Sequence, residues 1–428
     1  MHCSVQGAGS PVTQHHGSHA GQKALLIISG GREAADAARR AKELGFYVIV
    51  ADRDSEAPAF AITDSILIAD ADGADETSAA AERFSRKIRR IDGAISMATN
   101  APMTVAAVAR RLGLAGPSER ISRLACDKLA MKRTLREAGL PVPWFAPVET
   151  PQALARIVIE HGRDLVIKPV DSRESRGVQR LAAVTDIDRA FALSRSHSIT
   201  GRVMVERCLD GPQISAQALV IDGHCATPVL FDRNFEYLER YAPFFVQNGG
   251  ELPSALPAEI QEDVRALVAQ AARVLGVTSC AMKADIVVHD GKAWLIDLAT
   301  TICGGSLCTR GISLSSGVDF IGAAIRVAVG DAVPMEELEP RKTAPVVQRY
   351  LFLQSGRVVS ISGIEAAREI LGIADVIVTA RPGDVFLRSN DRRPSAAMAL
   401  ATGATRDIAL SAANEALTRI HIVIEPTG

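Results

Sequence analysis

The sequence predicts an α/β protein that begins with an open parallel sheet. From Lys23 onward, short apolar runs alternate with amphipathic stretches, which is typical of βαβ units. Two later apolar strands flank Asp290 and Gly291, a pair that favours a tight antiparallel hairpin. A chain of 428 residues is also too long for one typical core. We therefore expect two to four packed units.

The charge balance and the cysteines indicate which partners and which cellular location to expect. Lys plus Arg number 48 against 49 Asp plus Glu, so no long-range field gathers nucleic acid or acidic membrane. The seven cysteines form no CxxC pair and no even disulfide framework, and no secretory signal is present. No apolar run reaches the roughly 18 to 20 residues of a bilayer-spanning helix. We expect reduced thiols, a cytoplasmic location and small-molecule partners.

Residues 1–22 form a tail without apolar periodicity, rich in Gly, Ser, Gln and His. Four of the nine histidines lie in it, at positions 2, 15, 16 and 19. Such a composition cannot bury enough apolar surface to fold, so we expect disorder. Metal binding by these histidines is the alternative to a solvated tail.

Residues 23–117 carry the parallel-sheet pattern, with strands expected at 24–28, 47–51, 65–69 and 93–97. A glycine pair, Gly30 and Gly31, follows the first strand, which raises the alternative of a dinucleotide site in a dehydrogenase. The full GxGxxG spacing is absent, because Arg32, Glu33 and Ala34 follow. The glycines more simply permit a tight turn beside a substrate pocket.

The remaining chain divides at glycine and proline signals. A helix is expected from about 118 to 138 and ends before Gly139 and two prolines. We assign linking helices to 118–149, a compact unit to 150–206, a larger unit to 207–340 and a C-terminal unit to 341–428. Strands are expected in the last unit at 346–352, 375–378 and 420–424.

Two lysines lie where a strand or helix end could direct them inward. Lys128 precedes an apolar helical run, and Lys168 ends the apolar strand 165–168. A buried ammonium group needs a partner or a shifted pKa, and phosphate is a natural partner. The polar loop 171–178 after Lys168 suits backbone contacts to phosphoryl oxygens. Taken alone, each lysine is also compatible with the surface, and the loop with an ordinary hairpin.

Two further motifs suit a nucleotide and its metal. The strand 203–206 stops at Glu206 and restarts after a Gly-Pro turn, which leaves backbone groups that an adenine edge can satisfy. The hairpin around Asp290 carries Asp285 and Asp297, which face each other if the strands pair about that turn. Two carboxylates among apolar residues suit Mg²⁺ that bridges phosphates.

Taken in order, these motifs resemble the signature of the ATP-grasp superfamily over residues 23–425. The segment 241–254, Gly304-Gly305 and the run 316–319 resemble the L-amino-acid ligase (dipeptide synthetase) branch. The resemblance implies an N-terminal open-sheet domain, a small lid, a large ATP-binding subdomain and a C-terminal extension. It also implies ATP-dependent carboxylate-amine ligation of amino-acid-like substrates through an acyl phosphate, with release of ADP and phosphate. Related enzymes often pair, so a homodimer is a further expectation.

The resemblance also assigns site residues. Lys128 and Lys168 would bind the α- and β-phosphates, and Asp285 and Asp297 would hold Mg²⁺. The mobile flap would contribute Ser172, Ser175, Arg176 and Gly177. The adenosine would lie against Glu206, the Arg207 carbonyl, the Leu209 amide and Gln213.

Three departures from the family pattern bear on activity. Gln213 replaces a ribose-binding Glu, and Glu174 replaces a flap Gly. Thr301 stands where the branch has an Arg that steadies the acyl phosphate, and Arg310 is the nearest downstream replacement. We expect Arg310 to fold back over the Asp297 end of the hairpin and act with Lys168 in catalysis. The alternative is a catalytically silent ATP-binding regulatory protein.

Six aromatic residues crowd between positions 231 and 245. They suit either an aromatic-walled acceptor pocket or ordinary core packing. The histidines outside the tail are scattered, so the sequence shows no catalytic triad and no zinc site.

Overall fold

The structure is a computed structural model that describes residues 21–99, 101–182, 185–386 and 395–427. Most of the predicted tail lies outside these ranges, so disorder and metal binding by its histidines stay predictions. The described strands form four sheets. The domain boundaries assigned from the sequence also stay predictions.

The N-terminal sheet is the predicted open parallel sheet, with strand order β3-β2-β1-β4. The four expected strands are confirmed, and every residue of β1 is buried because helices cover the sheet. A Cβ atom at Gly30 would lie 2.6 Å from the Cβ of Ala57, so the first turn requires glycine for close packing. The elements are β1 (Ala24–Ile28), α1 (Arg32–Glu43), β2 (Tyr47–Asp52), β3 (Ser65–Ile68), α2 (Ala74–Lys87), β4 (Gly93–Ser96) and α3 (Pro102–Leu112).

The single helix expected from about 118 to 138 is two helices, α4 (Glu119–Cys126) and α5 (Lys128–Glu137). Asp127 separates them, because its backbone is extended and its side chain accepts a hydrogen bond from the amide of Ala130 at 2.8 Å. An aspartate in this role caps the N-terminus of a helix. The break places Lys128 at the first position of α5.

The lid is an antiparallel sheet with strand order β5-β8-β6-β7, covered by two helices. Its own apolar core includes Leu154, Ile167 and Val205. The loop 170–178 joins β6 to β7 and corresponds to the predicted flap. The elements are β5 (Phe145–Val148), α6 (Pro151–His161), β6 (Leu165–Pro169), β7 (Gln179–Leu181), α7 (Ile187–Ser196) and β8 (Val203–Arg207).

The lid is joined to the segment that follows β11. The backbone of Gln179 in β7 forms an isolated antiparallel bridge with Phe244. The amide of Arg180 also donates to the carbonyl of Pro243 at 2.8 Å. The end of the aromatic segment, at residues 243 and 244, therefore lies against the outer edge of the lid sheet.

The central part contains six strands and three α-helices, and two of the strands form the hairpin predicted from the sequence. The elements are β9 (Gln213–Ile221), β10 (His224–Ala226), β11 (Leu230–Arg233), β12 (Gly250–Leu252), α8 (Ala258–Leu275), β13 (Cys280–His289), β14 (Lys292–Ala299), α9 (Ile312–Ser316) and α10 (Phe320–Ala328). Helix α8 buries an apolar face that includes Val264 and Val268 against the strands. A π-helical turn, Leu307–Gly311, precedes α9.

Helix α10 is apolar almost all round because it packs between α1, β4 and β13. No single helix in the described residues is long and apolar enough to cross a membrane. By length and composition alone, one pair bent by 117°, Leu307–Ser316 with Phe320–Ala328, meets that requirement. Most of the α10 side chains are buried within the fold.

The C-terminal part adds strands to the central sheet and forms a small sheet of its own. The elements are β15 (Val346–Phe352), β16 (Gly356–Ser362), α11 (Ile364–Arg368), β17 (Ile373–Val378), β18 (Val385–Phe386), β19 (Ser395–Thr402), α12 (Arg406–Arg419) and β20 (His421–Glu425). The small sheet has the order β18-β16-β20. The three strands expected here are confirmed as β15, β17 and β20.

One large sheet crosses the boundary assigned at residue 340. Its strand order is β14-β13-β9-β11-β12-β15-β19-β17, and β10 pairs with β9. The connection is made by β12 and β15, where Glu251 lies opposite Val347. Arg349 and Arg406 reinforce it, since both guanidinium groups contact the carboxylate of Glu251. The last two predicted units therefore share one backbone hydrogen-bond network.

Candidate functional site

The candidate site lies where the lid, helix α5 and the β13–β14 hairpin meet. The Nζ atom of Lys128 lies 3.3 Å from Oδ2 of Asp297 and donates to the carbonyl of Ser172 in the flap at 2.6 Å. The Nζ atom of Lys168 donates to Oε1 of Glu206. Five predicted residues are thus brought to one place in the fold.

A third lysine, Lys132, belongs to this cluster and was not singled out from the sequence. It is fully buried, and its Nζ atom lies 2.9 Å from Oε2 of Glu206. The same ammonium group donates to the carbonyl of Leu295 at 3.3 Å. Its spacing of four residues from Lys128 was the available signal, because residues i and i+4 share one face of a helix.

The flap contacts helices α4 and α5. Arg173 donates from Nη2 to the carbonyl of Ala125 at 3.2 Å. Glu174 and Ser175 both have positive φ angles, 57° and 58°, a region that residues other than glycine rarely occupy. Gly177 has a φ of 72°, and a Cβ there would lie 2.9 Å from His197. The flap is thus a strained turn, which is typical of segments with a role in binding.

The predicted adenine hinge follows β8. Its strand break is confirmed, since β8 ends at Arg207 and β9 begins at Gln213. The Arg207 amide donates to the carbonyl of Trp144 at 2.8 Å. The Glu206 side chain, however, is directed toward the two buried lysines, which occupy both of its carboxylate oxygens. The roles of Arg207, Leu209 and Gln213 toward adenosine stay predictions.

The hairpin carboxylates face each other as predicted. Asp285 lies directly opposite Asp297 in the β13–β14 ladder, and Asp290 and Gly291 form the turn with φ angles of 49° and 70°. A bulge follows Asp285, where the register shifts. Asp297 is about a third exposed at its side chain, whereas Asp285 is more buried.

Asp285 has basic partners that the sequence did not indicate fully. Its Oδ2 atom lies 2.7 Å from Nζ of Lys283 and 3.6 Å from Nη1 of Arg233 in β11. Ser215 in β9 donates to its other oxygen. Arg233 was missed because it lies 52 positions away in the sequence and reaches Asp285 only through the sheet.

This donor set fits magnesium. Mg²⁺ is usually bound by one or two carboxylates together with waters and substrate phosphates, and does not need an all-protein cage. Asp297, with Asp285 opposite, supplies those carboxylates. The described residues contain no cluster of three or more His, Cys, Asp or Glu that could hold a metal ion by itself. These two residues would hold such an ion only together with oxygen atoms from other ligands.

Burial and charge shift the pKa values of this cluster in defined directions. Burial lowers the pKa of Lys132 to about 8, although Glu206 opposes the change. It also lowers the pKa of Lys128, against the effect of Asp297. Burial alone would raise the pKa of Glu206, but Lys132 and Lys168 bring it below its ordinary value. Both hairpin aspartates likewise have lowered pKa values, Asp285 through Arg233 and Lys283, and Asp297 through Lys128.

Arg310 does not fold back over the hairpin, contrary to the sequence-based expectation. It lies in the π-helical turn after Gly305, where its guanidinium contacts Asp375 at 3.2 Å and Asp36 at 3.8 Å. The π-helical turn directs the side chain toward α1 and β17. Thr301 is directed toward the N-terminal sheet, since its hydroxyl lies 3.4 Å from the carbonyl of Ser96 in β4.

The Gly304-Gly305 turn lies where three parts of the fold meet. The Gly305 amide donates to Glu33 in α1 at 3.3 Å, and the Leu307 amide donates to Gln348 in β15 at 3.0 Å. The structure joins Cys303 to Cys308 in a disulfide across this turn. This differs from the reduced thiols expected for all cysteines. The turn brings the two Cα atoms to 6.1 Å, within the range that a disulfide spans.

The aromatic residues pack partly against each other. Tyr237 and Tyr241 make edge contacts with Phe352 of β15, at centroid distances of 6.4 and 6.5 Å. Phe235 and Phe245 form a second edge contact at 6.4 Å. Phe231 is buried in the core between the N-terminal and central parts. Core packing is therefore established for Phe231 alone, and the aromatic-walled acceptor pocket stays a prediction.

Comparison with known proteins identifies the family. The "ATP-grasp domain" family matches residues 125–304, and "L-amino acid ligase C-terminal domain 2" matches residues 349–425. A D-alanine–D-alanine ligase of Cupriavidus metallidurans is 30% identical over 233 residues, which cover 51% of this chain and 68% of that protein. The chain belongs to the ATP-grasp superfamily of carboxylate-amine ligases. It is accordingly an enzyme that forms carbon–nitrogen bonds.

Other similarities extend over most of the chain. The uncharacterized protein y4rH of Sinorhizobium fredii is 26% identical over 420 residues, 95% of this chain and 84% of that protein. The crystal structure of an L-amino acid ligase from Bacillus licheniformis superposes with a TM-score of 0.79 at 19% identity, covering 94% and 99% of the two chains. A phosphoribosylglycinamide synthetase from Anaerococcus prevotii has a TM-score of 0.71 at 18% identity, covering 94% and 100%. These structures confirm the ATP-grasp fold predicted from the sequence.

Proposed function

We propose that this ATP-grasp ligase joins an amino-acid-like carboxylate to an amine through an acyl phosphate, with release of ADP and phosphate. The convergence of phosphate-type cations and metal-type carboxylates supports the proposal. Lys128, from the start of α5, contacts both the flap and Asp297 of the hairpin. Residues proposed for the phosphates and for the metal are therefore in direct contact.

The residues take distinct roles in this proposal. Lys128 and Lys168 bind the α- and β-phosphates, and the flap covers them with Ser172, Ser175, Arg176 and Gly177. Asp297 and Asp285 hold Mg²⁺, which when bound neutralises charge on the phosphoryl groups. The adenosine lies against Glu206, Arg207, Leu209 and Gln213.

In this proposal, the cation near the acyl phosphate is not Arg310. Arg310 contacts Asp36 and Asp375 and is left out of the catalytic set. Lys283 and Arg233 both lie against Asp285, beside the metal carboxylates. Fixed cations at such a position stabilise negative charge that develops in the transition state. We assign them the role that the branch gives to the arginine replaced by Thr301.

The proposal is tested by phosphate release from ATP with pairs of amino acids and other carboxylic acids. We expect at least one pair to release phosphate and to yield an amide whose mass is that of both substrates minus water. Asp297→Asn should lose this turnover while the fold, followed by circular dichroism, is kept. Tight ATP binding without release for any pair would support the silent alternative instead.

The homodimer implied by the resemblance also stays a proposal. Light scattering on the purified chain tests it, because a monomer at assay concentration would contradict it.

A further inference from the structure

The candidate site contains a buried cluster in which two lysines contact one glutamate. Glu206 is 3% exposed, Lys168 is 4% exposed and Lys132 is fully buried. One oxygen of Glu206 accepts from Lys168, and the other lies 2.9 Å from Nζ of Lys132. Two ammonium groups therefore share one carboxylate in the interior.

The three side chains come from different elements. Lys168 in β6 and Glu206 in β8 are diagonal neighbours on one face of the lid sheet, since Val166 lies opposite Glu206. Lys132 approaches from α5 and is also bonded to the Leu295 carbonyl, two residues before Asp297. Lys132 thus connects the lid strand to the metal hairpin and has no role in the nucleotide contacts assigned above.

Glu206 needs Lys132 as a partner when the nucleotide binds. In the proposed function, Lys168 binds a phosphate of ATP, so its ammonium group must leave or share Glu206. Removing one partner from a buried ion pair is strongly unfavourable, because a charge is left in the interior without compensation. Lys132 can remain with Glu206 throughout, since it has the other oxygen.

We propose that Lys132 is a positioning residue that keeps Glu206 neutralised while Lys168 exchanges its carboxylate partner for an ATP phosphate. The inference rests on the proposed phosphate-binding role of Lys168. It assigns Lys132 no contact with ATP. Its effect on ATP binding passes through Glu206 and Lys168.

If Lys132 has this role, Lys132→Met should weaken ATP binding without lowering the stability of the fold. Without ATP, Lys168 and Glu206 remain as a neutral pair of one cation and one anion, so the variant should fold with a melting temperature at least equal to the parent's. ATP must then remove the only partner of Glu206, and its Kd should rise on the order of 100-fold, the usual effect of unpairing a buried charge. Adenosine has no phosphate that competes for Lys168, so its Kd should be unchanged.

A second substitution should reverse the effect. Gln at position 206 needs no counter-ion, so Lys132→Met with Glu206→Gln should bind ATP as tightly as Glu206→Gln alone. Lys292→Met is the matched control, because Lys292 is exposed at the start of β14 and its removal changes the net charge equally. It should bind ATP like the parent.

Calorimetry with ATP and adenosine, together with thermal unfolding, distinguishes the outcomes. Parent-like ATP binding by Lys168→Met would overturn the phosphate role and the inference with it. If Lys168→Met binds ATP weakly but Lys132→Met binds it like the parent, only the inference fails. It fails equally if Lys132→Met is unfolded, if adenosine and ATP weaken together, or if Glu206→Gln does not restore ATP binding.

Discussion

The stability of the protein should depend on the ionisation of one buried lysine in alkaline solution. Burial lowers the pKa of Lys132 from 10.5 to about 8. At about 1.4 kcal/mol for each pH unit, this difference corresponds to about 3 kcal/mol of folding free energy. Lys132→Met removes the group, so comparison of the variant with the parent isolates its contribution.

The sign follows from proton binding in the two states. Below pH 8, Lys132 is protonated in both states, and the unfavourable burial of its charge is fully present. Between pH 8 and 10.5 the unfolded chain keeps the proton that the folded chain has lost, so parent stability rises relative to the variant. Above pH 10.5 the group is neutral in both states, and the relative change is complete.

The measurement is urea unfolding of the nucleotide-free parent and Lys132→Met at several pH values from 7 to 10.5. Fluorescence of Trp144 and Trp294 reports on the lid and the hairpin. Groups remote from this cluster titrate alike in both proteins, so their contributions cancel in the difference. We expect the parent to gain about 3 kcal/mol on the variant across this window. A constant difference, as expected for the exposed-lysine control Lys292→Met, would refute the argument.

Three further substitutions test other contacts. Arg310→Ala should leave kcat close to the parent's, because its partly exposed ion pairs lie away from the hairpin; a loss of 100-fold or more, the usual effect of removing a transition-state donor, would return it to the catalytic set. Asp285→Asn should raise the Mg²⁺ concentration needed for half-maximal turnover, and an unchanged Mg²⁺ titration would remove it from the metal site. Arg406→Ala leaves Asp232 and Glu251 without a shared cation and should lower the free energy of unfolding by about 1–3 kcal/mol, which chemical denaturation measures. A loss near zero would mean that the other arginine beside Glu251 suffices.

The sequence predicted those parts of the fold that depend on local pattern. The four parallel strands are continuous apolar runs, and the hairpin has a turn pair whose positive φ angles fix the register of Asp285 against Asp297. Because side chains alternate along a strand, that register alone determines that the two carboxylates lie opposite each other. Lys128 and Lys168 were found for a similar reason, since Lys128 precedes a helical run and Lys168 ends a strand.

The parts that were missed depend on contacts distant in sequence. Lys132 looks like a solvent-facing helix residue until β8 and β14 cover that face of α5. Arg233 reaches Asp285 across β9, which no local pattern indicates. The direction of Arg310 depends on a π-helical turn, and such turns are rare. The capping aspartate at 127 was visible in the sequence, but the continuous helical periodicity around it concealed the break.

The contact between the lid and the segment after β11 should couple opening of the lid to ligand binding at that segment. If the edge of β7 moves away from residues 243 and 244, the Arg180–Pro243 hydrogen bond and the Gln179–Phe244 bridge must break. A ligand that orders the aromatic segment in its present position therefore adds to the free energy of lid opening. By thermodynamic reciprocity, a nucleotide that holds the lid shut strengthens binding of that ligand by the same factor. The order in which substrates are added should then alter the kinetics of each binding step but not their combined affinity.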